Sequence, residues 1–271
     1  MKKFLDKSYN DALDTDINEK IEDTIAYFDD IIDQIVNEKN NNINDNINNE
    51  LVSDIWFNKG VLYSRLNKLN QALHCYDKSL QINPFNSKAL VNKGVIFHKL
   101  NDLEKALDCF DKALLTDPQD ANSWFNKGNV LKDQKRFKDA LICYKNALII
   151  DSNPEFWFST SLVLEKMRQF ESAILCYDKA LDLAPNNPQI WSSKGSLLNK
   201  IDENHDALEC FDIALSIEIN PDTLYEKGMI YFKLNDPKQA LECFEMIIEL
   251  DPSNVKAQSA RRIAKKLLNK L

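Results

Sequence analysis

One interval of 33 or 34 residues runs through most of this chain. It separates consecutive cysteines, and each cysteine stands directly before Tyr or Phe. These cysteines are Cys75, Cys109, Cys143, Cys176, Cys210 and Cys243. A fixed period of this length marks a stack of one repeated supersecondary unit. Because a stack presents a long surface and not one deep pocket, we expect function to lie on that surface.

Small residues keep the same period. All five glycines recur in register, at Gly60, Gly94, Gly128, Gly195 and Gly228, and Ser161 takes this place in the remaining unit. An alanine follows each of these six positions after twelve residues, and between the markers the apolar residues recur at helical spacing. Each unit is therefore predicted to be two short antiparallel helices. They should cross closely at the glycine and the alanine, because a larger side chain would force them apart.

The first unit carries a recognisable pattern. Its markers are Trp56, Gly60, Tyr63, Ala72, Tyr76 and Pro84. This Trp-x3-Gly-x2-Tyr…Ala-x3-Tyr…Pro arrangement resembles the tetratricopeptide repeat (TPR). Six units follow one another, at 53–86, 87–120, 121–153, 154–187, 188–220 and 221–254. The resemblance implies an all-α fold, a right-handed α-solenoid of stacked helix-turn-helix repeats with the first helices along a concave face.

Residues 1–36 form an acidic region that precedes the repeats. Apolar residues spaced by four and three predict an amphipathic helix at 19–37: Ile21, Ile25, Phe28, Ile32 and Ile35. Its sequence resembles the second helix of a repeat, so we interpret it as a degenerate half-repeat or cap. Three placements stay open: it caps repeat one, lies in the groove of its own chain, or packs on a second chain.

Two further segments flank the repeats. Residues 37–52 are predicted to be a linker, because asparagine fills eight of the thirteen positions 37–49. Residues 255–271 are predicted to be a basic helix that caps repeat six. Its apolar stripe, expected to face repeat six, consists of Val255, Ala260, Ile263, Ala264, Leu267, Leu268 and Leu271.

Charge and composition limit the classes of function and of partner that we expect for this protein. The net charge is −8, and the repeats themselves are acidic, which argues against a nucleic-acid partner. No apolar run is long enough to cross a bilayer, so we expect no membrane partner and a cytoplasmic protein. No phosphate loop, nucleophile elbow or His–Cys dyad occurs, which predicts a protein that is not an enzyme and uses no cofactor or metal.

The periodic cysteines are predicted to be packing residues. Equivalent positions on neighbouring repeats lie about 8–10 Å apart, whereas a disulfide needs Cα atoms closer than about 7 Å. Six thiols in a row also cannot converge on one metal ion. A small apolar side chain in a helix-packing slot explains the pattern instead.

The resemblance implies that ligands contact positions 2, 5, 6, 9, 12 and 13, counted from the first residue of each repeat. Position 6 holds Asn58, Asn92 and Asn126, and position 5 holds Phe57, Phe125, Phe158 and Tyr225. The basic candidates are Arg65, Lys88, Lys99 and Lys132. These residues predict a peptide-binding groove centred on repeats one to three. An alternative is that the asparagines bond between neighbouring repeats and that the lysines form a solvated face.

The carboxylate clamp found in some members of the family is not expected, since repeats one to three match its pattern only at Asn92 and the later windows lack its lysines and arginine. The function predicted is a non-catalytic scaffold that binds a peptide or helix of a protein partner. The alternative is self-assembly, giving a weak homo-oligomer. In that alternative the acidic segment 1–52, with net charge −8, docks on the basic segment 253–271, with net charge +6, of another chain.

Overall fold

The structure is a computed structural model that describes residues 18–35 and 45–269. The parts of the predicted N-terminal region and linker at 1–17 and 36–44, and residues 270–271, lie outside the described residues. Within the described ranges the chain forms fourteen helices and no strand. They are α1 (18–35), α2 (Asp45–Arg65), α3 (Leu69–Ile82), α4 (Ser87–Lys99), α5 (Leu103–Thr116), α6 (Ala121–Asp133), α7 (Phe137–Ile150), α8 (Pro154–Lys166), α9 (Phe170–Leu183), α10 (Pro188–Lys200), α11 (Asn204–Ile217), α12 (Pro221–Lys233), α13 (Pro237–Leu250) and α14 (Val255–Leu268).

The helices form two compact units, Met1–Arg136 and Phe137–Leu271. In the first unit α2 packs on α3, α4 packs on α5, and each hairpin contacts the helix that follows it. In the second unit α8 packs on α9, α10 on α11, and α12 on α13, and α14 closes the series against α13. Each unit is thus a stack of helices in chain order, which confirms the predicted all-α class.

Within a repeat, glycine permits the close crossing that the sequence predicted. A Cβ atom added at Gly94 would lie 2.8 Å from Phe110 Cε1, and one at Gly228 would lie 2.7 Å from Phe244 Cε1. Both rings are fully buried. In repeat four the buried Ser161 stands at this place, and its Oγ donates to the Phe158 carbonyl at 2.6 Å.

The turn inside each repeat adopts one conformation six times. The residue at position 15 has a positive φ, between 55° and 66°: Asn67, Asn101, Lys135, Arg168, Asp202 and Asn235. The next amide donates to the carbonyl five residues back, as Lys68 donates to Tyr63 at 2.9 Å. This is the Schellman motif, which ends the first helix and reverses the chain.

Between repeats, an asparagine or aspartate caps the incoming helix. Asn86 accepts from the amide of Ala89, and Asn187 accepts from the amides of Gln189 and Ile190. Helices α8, α10 and α12 begin in this way with an Asn-Pro pair, since proline at the first helical position needs no acceptor.

Neighbouring repeats are held together by a recurring ion pair. A lysine at position 7 reaches an aspartate on the second helix of the preceding repeat, as in Lys93–Asp77, Lys127–Asp111, Lys194–Asp178 and Lys227–Asp212. These lysines are largely buried and lie beside an aromatic ring; Lys194 Nζ, for example, is 5.7 Å from the Trp191 ring centroid. Repeat four has the buried Thr160 at this position.

The first helix, α1, takes the place of the second helix of a preceding repeat. Ile32 and Ile35 are buried against Val52 and Ile55 of α2. Lys59, at position 7 of repeat one, pairs with Asp29 of α1 in the same way as the other position-7 lysines. The structure therefore places α1 as a half-repeat that caps repeat one, and not in the groove.

Helix α2 begins at Asp45, so the last eight residues of the predicted linker are helical. The asparagine-rich composition predicts a linker, but Val52 and Ile55 continue one apolar face that α1 covers. Tertiary contact with α1 thus outweighs the low helix propensity of the asparagines.

The last helix, α14, takes the place of the first helix of a seventh repeat. Gln258 Nε2 donates to the Pro252 carbonyl at 2.7 Å, as Trp191 Nε1 donates to Pro185 at 2.8 Å. The predicted apolar stripe divides in two. Its small residues Ala260 and Ala264 are buried, together with Ala257, whereas Val255, Ile263 and Leu267 are exposed. The stripe is therefore not wholly covered by repeat six, because a single helix presents one face to α13.

Candidate binding surface

The three asparagines at position 6 lie in different environments. Asn58 is exposed, and Asn126 is half-buried. Asn92 is half-buried and hydrogen-bonds to the phenol of Tyr76 in repeat one. Burial raises the pKa of Tyr76 to about 12, and the hydrogen bond with Asn92 acts in the opposite direction by lowering this pKa. Asn92 thus makes the contact between repeats that the sequence analysis left open, while the side chains of Asn58 and Asn126 form no hydrogen bond to another described residue.

Three of the four aromatic residues at position 5 pack within their own repeats. Phe125 is 7% exposed, so its prediction as an open anchor is wrong. The other three are half-buried and lie against buried rings on the second helix. The pairs, with their centroid separations, are Phe57–Tyr76 at 6.1 Å, Phe158–Tyr177 at 6.0 Å and Tyr225–Phe244 at 5.7 Å. These rings therefore stabilise the hairpin of their own repeat, because their contacts are intramolecular.

The basic candidates of repeats one to three remain open. Arg65, Lys88 and Lys99 are exposed and Lys132 is half-buried, and none forms an ion pair with another described residue. Position 13 differs in repeats five and six. Lys200 Nζ lies 3.3 Å from Glu165 Oε1, and Lys233 Nζ donates to Asn199 Oδ1 at 2.6 Å.

A shallow depression of about 420 Å³ in the first unit brings several predicted residues together. Phe57 of repeat one, Lys88 and Asn92 of repeat two, and Asn122 of repeat three line it, with Val91. Asp117 and Asp120 also line it. The depression therefore combines an apolar floor, two amides and charges of both signs, which suits a peptide with both apolar and polar groups.

A second depression, of about 210 Å³, lies between repeats five and six and was missed by the sequence analysis. Its walls carry hydroxyl and carboxylate groups: Ser192 Oγ and Thr223 Oγ1 are 2.9 Å apart, and Ser196 Oγ donates to Glu226 Oε2 at 2.5 Å. Residues of these two repeats fall at the groove positions in the sequence. However, serine carries too little signal by itself, and its cross-repeat partners appear only after stacking.

The cysteines lie in packing positions. All six are buried. Burial raises the pKa of five of these thiols from 9.0 to about 11: Cys75, Cys109, Cys176, Cys210 and Cys243. A protonated, covered thiol is a poor nucleophile and a poor metal ligand. The packing interpretation is thus supported by burial.

No helix in the described ranges is both long enough and apolar enough to span a bilayer. No group of three His, Cys, Asp or Glu side chains there is close enough to hold a metal ion.

The geometry defines a class: an α-solenoid in which helical hairpins stack on one another. The model of the tetratricopeptide repeat matches residues 53–86, 87–120, 121–154, 154–187 and 221–254. This chain belongs to the tetratricopeptide repeat family, and the predicted right-handed solenoid class is confirmed. The hairpin α10–α11 supplies a further repeat at 188–220. The fold is typically a non-enzymatic scaffold for protein interactions.

A curated relative shares a short segment with this chain. A TPR repeat-containing protein of Methanocaldococcus jannaschii is 49% identical over 37 residues, which are 14% of this chain and 11% of the relative. The match spans about one repeat of a much longer protein, so it supports the family and no particular activity.

Several solved structures share the fold. YrrB, described as a TPR protein with an unusual peptide-binding site, is 24% identical over 69% of this chain and 97% of its own, with a TM-score of 0.58. PilF of Pseudomonas aeruginosa is 23% identical over 78% of this chain and 97% of its own, with a TM-score of 0.67. PilW, a type IV pilus biogenesis factor, is 20% identical over 77% and 97%, with a TM-score of 0.69. At these identities the similarity concerns the fold.

Proposed function

We propose that this protein is a non-catalytic scaffold that binds an extended or helical segment of a partner protein. The site is the depression of repeats one to three, together with the exposed basic residues Arg65 and Lys99 at the ends of the same first helices. The observation that carries the proposal is the convergence of Phe57, Lys88, Asn92 and Asn122, from three successive repeats, on one depression.

The distribution of basic side chains without an ion pair among the described residues supports this choice of site. Arg65, Lys88 and Lys99 are exposed without an ion pair among the described residues, while Lys200 and Lys233 are already engaged by the repeats before them. A peptide that carries carboxylates therefore finds open cations in repeats one to three. Its amide groups find Asn122, which is exposed at the rim.

The roles within the site follow from burial. Lys88 supplies charge, and Asn122 supplies two donors and an acceptor for a peptide backbone. Phe57, half-buried on Tyr76, contributes an apolar floor. A short peptide that becomes ordered on binding is expected to bind with roughly micromolar affinity, about −8 kcal/mol.

A displayed library of random peptides tests the proposal without knowledge of the partner. Peptides selected on the wild-type protein should lose at least tenfold in affinity to the variant Lys88→Glu with Asn122→Ala, as measured by fluorescence anisotropy. Both residues are exposed, so the variant should keep its helicity. The matched control is Lys138→Glu, which makes the same charge change on the exposed face of α7 and should leave binding unchanged.

Equal affinity of the selected peptides for the wild type and the Lys88→Glu, Asn122→Ala variant would reject the site. The asparagine pair Asn92→Ala with Asn126→Ala is a weaker probe, because Asn92 also holds Tyr76.

A further inference from the structure

The helices at the two described ends of the array, α1 and α14, are each half of a repeat. At the α1 end the first helix of the repeat is absent from the described residues, and at the α14 end the second helix is absent from them. Helix α1 occupies the place of a second helix, since Asp29 meets Lys59 as Asp77 meets Lys93. Helix α14 occupies the place of a first helix, since Gln258 bonds to Pro252 as Trp191 bonds to Pro185. Among the described residues, no first helix precedes α1 and no second helix follows α14.

Each half-repeat consequently shows an open helix face. In α1, Tyr27 is 63% exposed, and Phe28 is half-buried at the place where complete repeats bury an aromatic ring such as Phe110. In α14, Ile263 is 52% exposed and Leu267 is 40% exposed. Both faces therefore combine apolar side chains with exposed charge.

The charges of the two helices are opposite and equal. Residues 18–35 contain six acidic residues and one basic residue, a net charge of −5. Val255–Leu268 contains five basic residues and no acidic one, a net charge of +5.

Most of these charges are not used within the described chain. Asp29 and Glu22 of α1 pair with Lys59 and Lys68, and Lys265 of α14 pairs with Glu245. Four acidic residues of α1 and four basic residues of α14 form no ion pair with another described residue: Glu19, Asp23, Asp30 and Asp33, and Lys256, Arg261, Arg262 and Lys266.

We propose that α14 of one copy docks on α1 of a second copy, so that the two half-repeats together form a helix pair between chains. The occupant is a second copy because the complementary half, with the complementary charge, is present at the other described end of the same sequence. The contact is heterologous, since it joins different surfaces of the two copies, and it therefore leads to closed rings or open filaments of molecules. It lies apart from the depression of repeats one to three and does not depend on the proposed function.

The side chains indicate a looser pairing than inside a repeat. Arg262 stands where complete repeats have glycine, and Thr24 stands where they have alanine. The helices therefore cannot approach as closely as α4 and α5 do at Gly94. Charge must supply much of the attraction, so the association should be weak and should respond to salt.

The test measures mass against protein concentration, by native mass spectrometry and by light scattering at low and high ionic strength. The full chain should form dimers and longer species at low salt, with the association constant falling at least tenfold at high salt. The variant Arg262→Glu with Lys266→Glu should be monomeric, and so should Asp23→Lys with Asp30→Lys. An equimolar mixture of these two variants should associate again, because the reversed helices are complementary.

The control Lys138→Glu with Lys145→Glu changes the net charge as much as Arg262→Glu with Lys266→Glu, on exposed sites of α7, and should still associate. Circular dichroism should show full helicity for every variant. A wild-type protein that stays monomeric at low salt overturns the proposal, as does association that survives either reversal, or a mixture that stays monomeric. Selected peptides should bind the α14 variant normally, so failure here is distinguishable from failure of the groove proposal.

Discussion

At the scale of single residues, the glycine at position 8 controls how closely two helices approach. The Cβ atom of Gly94→Ala would lie 2.8 Å from the buried ring of Phe110, so the ring or the helix has to move. Overpacking of this kind costs about 1–3 kcal/mol.

We therefore expect the free energy of unfolding of Gly94→Ala, measured in urea, to fall by that amount. Adding Phe110→Leu should make the glycine change less costly than it is in the wild type. If Gly94→Ala has the same cost in both backgrounds, the crowding does not arise from the ring.

The residue with a positive φ in each turn is a site where a substitution should increase the free energy of unfolding, not decrease it. Lys135 has a φ of 61°, a conformation that costs a side-chain-bearing residue about 1–2 kcal/mol, whereas glycine adopts it freely. Lys135→Gly should raise the free energy of unfolding by about 0.5–1 kcal/mol after the entropy of the unfolded glycine is included.

The matched change Lys145→Gly lies inside α7 and should lower the free energy of unfolding by about 1 kcal/mol. A loss of stability in both variants would contradict the conformational argument.

At the scale of helices, the lysine at position 7 joins one repeat to the next. Lys194 is 18% exposed, pairs with Asp178 at 2.6 Å and lies beside Trp191. Lys194→Met keeps the length of the side chain but leaves Asp178 without its partner, so we expect a loss of about 1 kcal/mol or more in thermal or urea unfolding.

Lys179→Met is the control, because Lys179 pairs with Asp182 within one helix and is 61% exposed. Exposed pairs of this kind contribute about 0–1 kcal/mol, so the control should unfold nearly as the wild type does. Equal effects of the two changes would remove the special role of the inter-repeat pair.

At the scale of the whole molecule, the buried thiols make stability depend on alkaline pH. Burial raises the pKa of Cys109 and four other cysteines from 9.0 to about 11. Between these values the unfolded chain has lost thiol protons that the folded chain still holds. The thiol contribution to stability is therefore full below about pH 9 and is lost as the pH rises through about 11.

We expect the urea concentration at the midpoint of unfolding to decrease as the pH rises from 9 to 11. The decrease should be less steep in the variant Cys109→Ala with Cys210→Ala. Thiol reagents at pH 8 should label the folded protein far more slowly than the urea-unfolded chain. Rapid labelling of the folded protein would show that the thiols are accessible.

The hairpins could be predicted from the sequence because each is defined by contacts inside about 34 residues. Gly60, Ala72 and Tyr76 repeat at a fixed spacing, and that spacing alone implies two helices that cross at a small residue. The groove was predicted less well. The fate of Phe125 depends on the packing around it, and the second depression depends on serine contacts between repeats.

The sequence by itself determined the repeated hairpin and its crossing point, since these follow from local periodicity. Only the tertiary structure decided which polar groups are engaged and which remain open. The pairs His98–Asp133 and Glu165–Lys200 join residues 35 positions apart, which meet only after successive repeats have stacked. The same stacking placed α1 and α14 as half-repeats, because the role of a lone helix depends on which neighbour it covers.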